Sequence, residues 1–383
     1  MNEIYFENIQ VMPGIVEMDC RSKDDSLNLD DRLYFKFSEK ILVDDNQIAT
    51  ALATLCGQVY DFVFMDLKIS IDVFNKIKGY LEADFKTNEI LQDEINFNYS
   101  DNLLLCFSGG FDSLASYELL SKSDSNFDIV SLDFGGRFSR EENFFKRFSP
   151  YVVKTNFVDL KLNRNSMSFM YVPIIFYSKY LDAGYGMLAD VLESGYNLYN
   201  RNDDVPLSFL NITNLPLVLG LTEVGLAYIL IKTRPELINL SLESLANPGE
   251  EKRYRKQLLI EILSRKYHKK VFFEKVGHTN TREWGNYITN DFLCLYFIKN
   301  AGFEEASKIM GNIPEEAISL ADSLSLDFYE KLNGDFLVEI SDKYQKIIRS
   351  RLYELNIPDY NTNDYNEFNR VMEFLSKYHN VKY

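Results

Sequence analysis

The sequence is poor in the residues that announce a metal centre or a covalent cross-link. Its 383 residues include 4 cysteines, 3 histidines and 1 tryptophan. Cys20, Cys56, Cys106 and Cys294 stand at least 36 residues apart, with no CxxC pair. A disulfide framework needs a higher density, and a cysteine zinc site needs thiolates at short spacing, so neither organises this chain. His268, His278 and His379 form no HxxxH or HxxEH pattern, which removes the zinc-hydrolase helix. Positive charge is scarce as well. The 41 Lys+Arg stand against 57 Asp+Glu, a net charge of −16. A general polyanion binder must displace condensed counterions with Lys and Arg, so nucleic acid is disfavoured as a partner. No 18-residue apolar window occurs, and MNEIYFENIQ carries acids where a signal peptide carries bases. These absences give the expectation of a cytoplasmic protein with no membrane partner.

Apolar residues at 46% and charged residues at 26% are globular proportions, and the length is that of more than one domain. RLYFKFS at 32–38 alternates apolar and polar side chains, as a half-buried strand does. From Gln47 to Tyr80 the spacing becomes helical, with Ala49, Leu52, Leu55, Val59, Phe62 and Val63 at steps of three and four. Residues 1–98 therefore read as an N-terminal α+β domain. Between 99 and 245 short apolar runs (NLLLCF, DIVSLDF, YVVKTNF, MLADVLE and ELINLSL) alternate with helical stretches at 112–122, 139–148, 167–184 and 221–232. Runs apolar on both faces and separated by helices predict a doubly wound α/β domain with a five-stranded parallel sheet. Residues 246–383 read as mostly helical. A basic run there, Lys252, Arg253, Arg255 and Lys256, then Arg265, Lys266, Lys269 and Lys270, is a solvated helix face in the ordinary case and a contact for phosphate or an acidic partner in the other.

One motif carries chemistry. Ser108-Gly109-Gly110-Phe111-Asp112-Ser113 follows the strand NLLLCF and precedes SLASYELL. Strand, glycine turn and helix N-terminus in that order build an anion cradle: glycine reaches positive φ, first-turn amides lack intrahelical partners, and the helix dipole is positive there. Ser108 and Ser113 add hydroxyl donors. A bare phosphate repels Asp112, so its carboxylate suits either a magnesium ion or a helix cap. The pattern arises by chance in a chain of this length with probability on the order of 10⁻³. It is neither a Walker A loop nor a GxGxxG fingerprint.

SGGFDS after an apolar strand resembles the PP-loop of the ATP pyrophosphatases, a superfamily that includes asparagine synthetase, GMP synthetase, tRNA-thiolating enzymes and 7-cyano-7-deazaguanine synthase (QueC). Asp128 to Glu142, DIVSLDFGGRFSREE, is similar to the deazaguanine synthase stretch in which a strand ends in an aromatic, a glycine and a polar residue. The likeness spans about 100–245 and is densest at 103–142. Leu188 to Leu192 with Ser194-Gly195 resembles the next strand and its glycine turn, and Pro216 to Glu223 the segment opening the next helix. The deazaguanine synthases hold zinc on four cysteines near the domain end; LSLESLANPGEEKRYRK stands there instead, so no zinc is expected. Divergent QueC-like proteins with an added N-terminal domain occur in anti-phage defence operons.

The resemblance implies an adenine nucleotide alpha-hydrolase-like fold and an ATP-dependent, adenylating ligase that forms AMP and pyrophosphate. ATP and Mg²⁺ are the implied cofactors. Ser108, Gly109, Gly110, Phe111, Asp112, Ser113, Phe134, Gly135, Gly136, Arg137, Ser194 and Gly195 would bind the nucleotide. Asp112 would hold the metal, and Asp112 and Ser113 would be catalytic. Arg137 and Glu141 could equally form a surface ion pair. The implied partner is a small-molecule carboxylate or nucleobase-like substrate, with a partner protein as acceptor in the defence relatives. The alternative is a nucleotide-binding regulatory or scaffold subunit without turnover. A glutamine amidotransferase is disfavoured, because position 2 is Asn2 and not a nucleophilic cysteine.

Overall fold

Burial of every second side chain shapes the start of the chain. β1 (Glu3–Met12) covers Ile4 and Phe6, β2 (Ile15–Lys23) covers Val16, Met18 and Cys20, and β3 (Asn28–Phe37) covers Leu33 and Phe35, as pleated strands with one buried face must. α1 (Asp45–Cys56) opens on a capping box: Asp44 accepts the Gln47 amide at 3.0 Å and Gln47 accepts the Asp44 amide at 3.3 Å. β4 (Phe62–Ser70), α2 (Ile71–Leu81) and β5 (Asp84–Leu91) follow. The middle of the chain runs through β6 (Ser100–Cys106), α3 (Phe111–Leu120), β7 (Phe127–Asp133), α4 (Ser139–Phe145), β8 (Tyr151–Thr155), α5 (Val172–Tyr177), β9 (Ala183–Met187), α6 (Leu192–Gly195) and β10 (Thr213–Asn214). Helices then dominate: α7 (Glu223–Thr233), α8 (Ile238–Leu245), α9 (Glu251–Lys266), α10 (Ile288–Ala301), α11 (Phe303–Ser307), α12 (Glu315–Ser323), α13 (Asp342–Glu354) and α14 (Thr362–Leu375). This computed structural model describes residues 2–23, 28–92, 99–195, 206–277, 281–338 and 340–380. No helix among them is long and apolar enough to cross a membrane.

The chain is α/β, with a large, mostly parallel sheet in the order β10-β9-β6-β7-β8-β3-β2-β1-β4-β5. Five parallel strands stand as a block, β10-β9-β6-β7-β8; β6, β7 and β8 are the expected runs NLLLCF, DIVSLDF and YVVKTNF, β9 and β10 are not among the expected strands, and the sheet has 10 strands and not five. The difference comes from residues 1–98, whose strands continue the same sheet. β3 runs antiparallel to β8, pairing Phe35 with Thr155 and Phe37 with Val153. In the parallel block, β7 and β8 extend to one side of β6 while β9 and β10 extend to the other. Leu104 of β6 lies between Asp128 of β7 and Gly186 of β9. The chain order thus reverses next to β6, the topological switch at which open α/β sheets receive ligands beyond their carboxyl ends.

The described chain forms two units, Met1–Ser108 with Ser125–Leu188 and Arg201–Leu215, and Gly109–Asp124 with Ala189–Asn200 and Pro216–Tyr383. Their bounds do not fall at 98 and 245. The first unit holds the whole large sheet with α1, α2, α4 and α5; α1 buries Gln47 to Cys56, and the Gln47 amide donates to the Ile175 and Phe176 carbonyls at 2.8 and 3.1 Å. The second unit is helical. Its centre is α7, buried from Glu223 to Ile231, with α3 and α9 packed on it. Thr222 caps α7 by accepting the Val224 and Gly225 amides at 3.1 and 3.2 Å.

Four element expectations fail. ELINLSL is not a strand: Ile238, Ser241 and Leu242 are buried at helical spacing, and α8 covers them. MLADVLE is not a strand beyond Met187, where β9 ends. The helical spacing of 47–80 conceals β4, whose Phe62 and Val63 belong to a strand between two helices. Within 167–184 the only α-helix is the six-residue α5.

Candidate site at the glycine loop

β6 ends at Cys106, and Phe107 is pinned to the sheet by its amide on Val130 O (2.8 Å) and its carbonyl on Ser131 Oγ (2.5 Å). From there the chain must turn into α3. Gly109 has φ +81°, a conformation that a Cβ penalises, and Gly110 at φ −68°, ψ 168° is the N-cap, with no side-chain cap. The Ser113 hydroxyl closes the loop on itself, accepting the Gly109 amide at 3.1 Å and donating to Gly110 O at 3.2 Å. From α8, buried Ser241 donates to Gly109 O at 2.7 Å. The loop is therefore held from two sides in one conformation. Ser113 shapes it, and Phe111, fully buried, anchors it; Asp112 keeps 38% of its side chain accessible.

Charged groups from α7 and α9 converge on that carboxylate. Lys256 is buried, its Nζ 3.3 Å from Asp112 Oδ1 and 3.1 Å from Glu223 Oε1. The ammonium also lies 5.2 Å from the centroid of the Phe111 ring, within cation–π range. Arg255 donates to Glu223 Oε1 at 2.7 Å and to Glu251 Oε1 at 2.9 Å. Burial works against ionised Glu223, but Arg255 and Lys256 outweigh it and hold the carboxyl well below the usual range. Lys252, one turn before Lys256, reaches solvent, yet the crowding of protein around it and then the Lys256 charge lower its pKa.

Glu193 completes the cluster. Its Oε1 accepts the Glu223 amide at 2.8 Å, while the buried Oε2 has no hydrogen-bond partner among the described residues. Burial first, then the neighbouring Glu223 charge, push its pKa up to about 8, so at neutral pH the carboxyl is largely protonated. Sequence reasoning chose Ser194 and Gly195; they end α6 beside it, and the residue bonded into the network is the one before them.

Comparison of the chain with protein-family models, curated proteins and solved structures returned no match. What this site does must be argued from its own atoms.

Of the residues expected to bind a nucleotide, Gly109, Gly110, Phe111, Asp112 and Ser113 come together here, and Ser108 precedes them in the chain, exposed. Phe134, Gly135, Gly136 and Arg137 belong to the other unit. There Gly135 and Gly136 take φ +63° and +52° with open space where a Cβ would stand, and the Gly135 amide donates to Asp133 at 2.8 Å. Phe134 packs on the rings of Phe138, Phe157 and Phe169. Glu193, Glu223, Arg255 and Lys256 escaped the motif search because each comes from a different stretch of sequence than the loop. The basic run was the available signal, and Arg253, Arg255 and Lys256 within it are buried, contrary to a solvated face.

Among the described residues no three metal-ligating side chains cluster. Mg²⁺ is commonly held by one or two carboxylates together with substrate phosphates and waters. Asp112, with Oδ1 on Lys256 and part of its surface open, fits that role only beside a phosphate. The thiols of Cys20, pushed up to about 12 chiefly by burial, and of Cys56, raised for the same cause, are poor nucleophiles.

Proposed function

We propose that this chain is an ATP-dependent ligase of the adenylating type. The observation that carries the reading is the pairing of a positive-φ glycine loop, which follows β6 in the chain and opens α3, with Asp112 and the buried Lys256 ammonium 3.3 Å away. The first-turn amides of α3 and the Lys252 and Lys256 ammoniums suit the β,γ-phosphates of ATP. A substrate carboxylate oxygen attacks the α-phosphorus, the bond to the β-phosphate oxygen breaks, and pyrophosphate leaves with the bonding electrons. A nitrogen nucleophile then attacks the acyl carbon, AMP departs, and the nitrogen proton passes to solvent or a base. Lys256, a buried ammonium held in place by Glu223, stabilises the charge that grows on departing pyrophosphate. Magnesium held at Asp112 would neutralise phosphate oxygens. The acyl donor is a carboxylate or amide of nucleobase-like type, and the acceptor nitrogen belongs to a small molecule or a partner protein; a role in anti-phage defence follows from the resemblance alone.

A second reading is a nucleotide-binding regulatory or scaffold subunit without turnover. It is favoured by the Gly109 amide and carbonyl, both already engaged by Ser113 and Ser241. Incubation with α-³²P-labelled ATP, with and without candidate partners, separates the two. Asp112→Ala lowers AMP formation by roughly 10²-fold or more and leaves the melting temperature almost unchanged, since Lys256 keeps Glu223. Wild-type AMP formation in that variant removes the first reading. Bound nucleotide with no AMP under any condition selects the second.

A further inference from the structure

A shallow cavity of about 720 Å³, widely open to solvent, lies in the helical unit apart from the glycine loop, between α8, the second half of α9 and the segment 269–275. Its volume falls within the range of small-molecule sites. On α8 it is reached from Asn239, about 160° around the helix from Ser241, which holds the loop. On α9 the residues facing segment 269–277 are Arg253, Gln257, Glu261 and Ser264, a stripe within about 80°. Gln257 fixes that segment, donating to Glu274 O at 2.8 Å and accepting the Val276 amide at 3.2 Å. Lys252, Arg255 and Lys256 stand about 100° or more from the middle of the stripe. One helix therefore serves two separate polar places.

The groups without partners around this cavity share one character. Ser264 lines it with a buried hydroxyl that has no hydrogen-bond partner among the described residues. Arg253 is 2% exposed, with Nε and Nη2 unbonded among the described residues; Glu274, which also lines the cavity, lies 3.9 Å from Nη2. Arg265, Lys269 and Lys270 line the wall and form no ion pair among the described residues, whereas Lys275 is paired with Glu261 at 2.7 Å. Apart from the exposed Glu274 carboxylate, what is left over is donor or cation, and an acceptor-rich anion would satisfy it. Beside these cations Phe272 is 83% exposed, a ring that burial does not account for. Cations flanking an open aromatic face suit a phosphate attached to a base.

We propose that this cavity is a second ligand site, which takes a nucleoside monophosphate with its phosphate on Arg265, Lys269 and Lys270 and its base on Phe272. The nucleotide is either free or the 5′ end of a single strand. The site does not depend on what the glycine loop does.

Calorimetric titration of the full chain tests it, with AMP, adenosine, inorganic phosphate and a 5′-phosphorylated single-stranded hexanucleotide as probes. Gly109→Val closes the loop site, so binding in that variant reports the cavity alone. AMP is expected to bind there. Lys269→Glu with Lys270→Glu weakens it at least tenfold, Phe272→Ala weakens it roughly fivefold or more, and phosphate and adenosine each bind at least tenfold more weakly than AMP. Absence of AMP binding in a folded Gly109→Val chain overturns the proposal, as does indifference to the charge reversal or phosphate binding as tight as AMP. Photolabelling of the unaltered chain with 8-azido-AMP gives an independent reading: label within 264–275 supports the site, and label confined to the loop overturns it. A hexanucleotide tighter than AMP identifies a strand end as the source, and equal or weaker binding identifies the free nucleotide.

Discussion

At the scale of single residues, the site rests on carboxyl groups that share a neighbourhood and differ in charge. Glu223 is kept ionised by Arg255 and Lys256, whereas Glu193, whose Oε1 accepts the Glu223 amide, is driven by burial and the Glu223 charge toward its neutral form. A carboxyl whose folded pKa lies above its unfolded value takes up a proton on folding, so its contribution to stability is present below the unfolded value and is lost as pH rises to the folded one. For Glu193 that window runs from about 4.5 to about 8. Glu193→Gln, a neutral isostere, is expected to flatten the fall of melting temperature across this window and to leave the variant more stable than wild type at pH 8. Scanning calorimetry at pH 5.5 and 8 measures it; an unchanged slope would show that Glu193 is ionised in the folded chain. Nothing in the sequence singled Glu193 out, because its protonation depends on burial against a residue 30 positions away.

At the scale of elements, α9 carries opposite demands on adjacent residues. Arg255 bridges two buried carboxylates, Glu223 and Glu251, while Lys256 bridges Glu223 and the accessible Asp112. Arg255→Met removes the guanidinium shared by two buried carboxylates, leaving Glu223 to Lys256 at 3.1 Å and Glu251 to the half-exposed Arg282 at 3.4 Å, and is expected to cost about 3–5 kcal/mol. Lys256→Met leaves Glu223 on Arg255, so its cost is smaller, about 1–2 kcal/mol, but it removes the ammonium aimed at the loop and with it AMP formation. Urea denaturation of both variants tests the ranking, and equal losses would mean that Lys256 is as structural as its neighbour. The loop was legible because strand, glycines and helix start are contiguous; α9 was not, because its run of Lys and Arg has the composition of a solvated face and its partners lie in α3 and α7. α8 was misread for a related reason. Its short apolar run fits a strand as well as a helix, and packing decided for the helix.

At the scale of the whole molecule, β6, β7 and β8 were legible from their apolar runs, and β9, β10 and the extent of the sheet were not. The strands of residues 1–98 look self-contained in sequence, yet β3 finds its partner in β8, pairing Phe35 with Thr155 across 120 positions. Local patterns carry no record of such a pairing. The join has a physical consequence within the sheet unit. Without residues 1–98, β8 would present a bare edge of amides and carbonyls, and Ile174, Ile175 and Phe176 of α5 would lose the cover of α1, whose Gln47 bonds the Ile175 and Phe176 carbonyls. An exposed strand edge beside uncovered apolar side chains is a template for aggregation. A chain of residues 99–383 alone is therefore expected to elute as aggregate in size-exclusion chromatography, even though it retains the loop, Asp112 and Lys256. A monomeric peak melting as the full chain does would mean that the first 98 residues are an independent domain resting on a sheet complete without them.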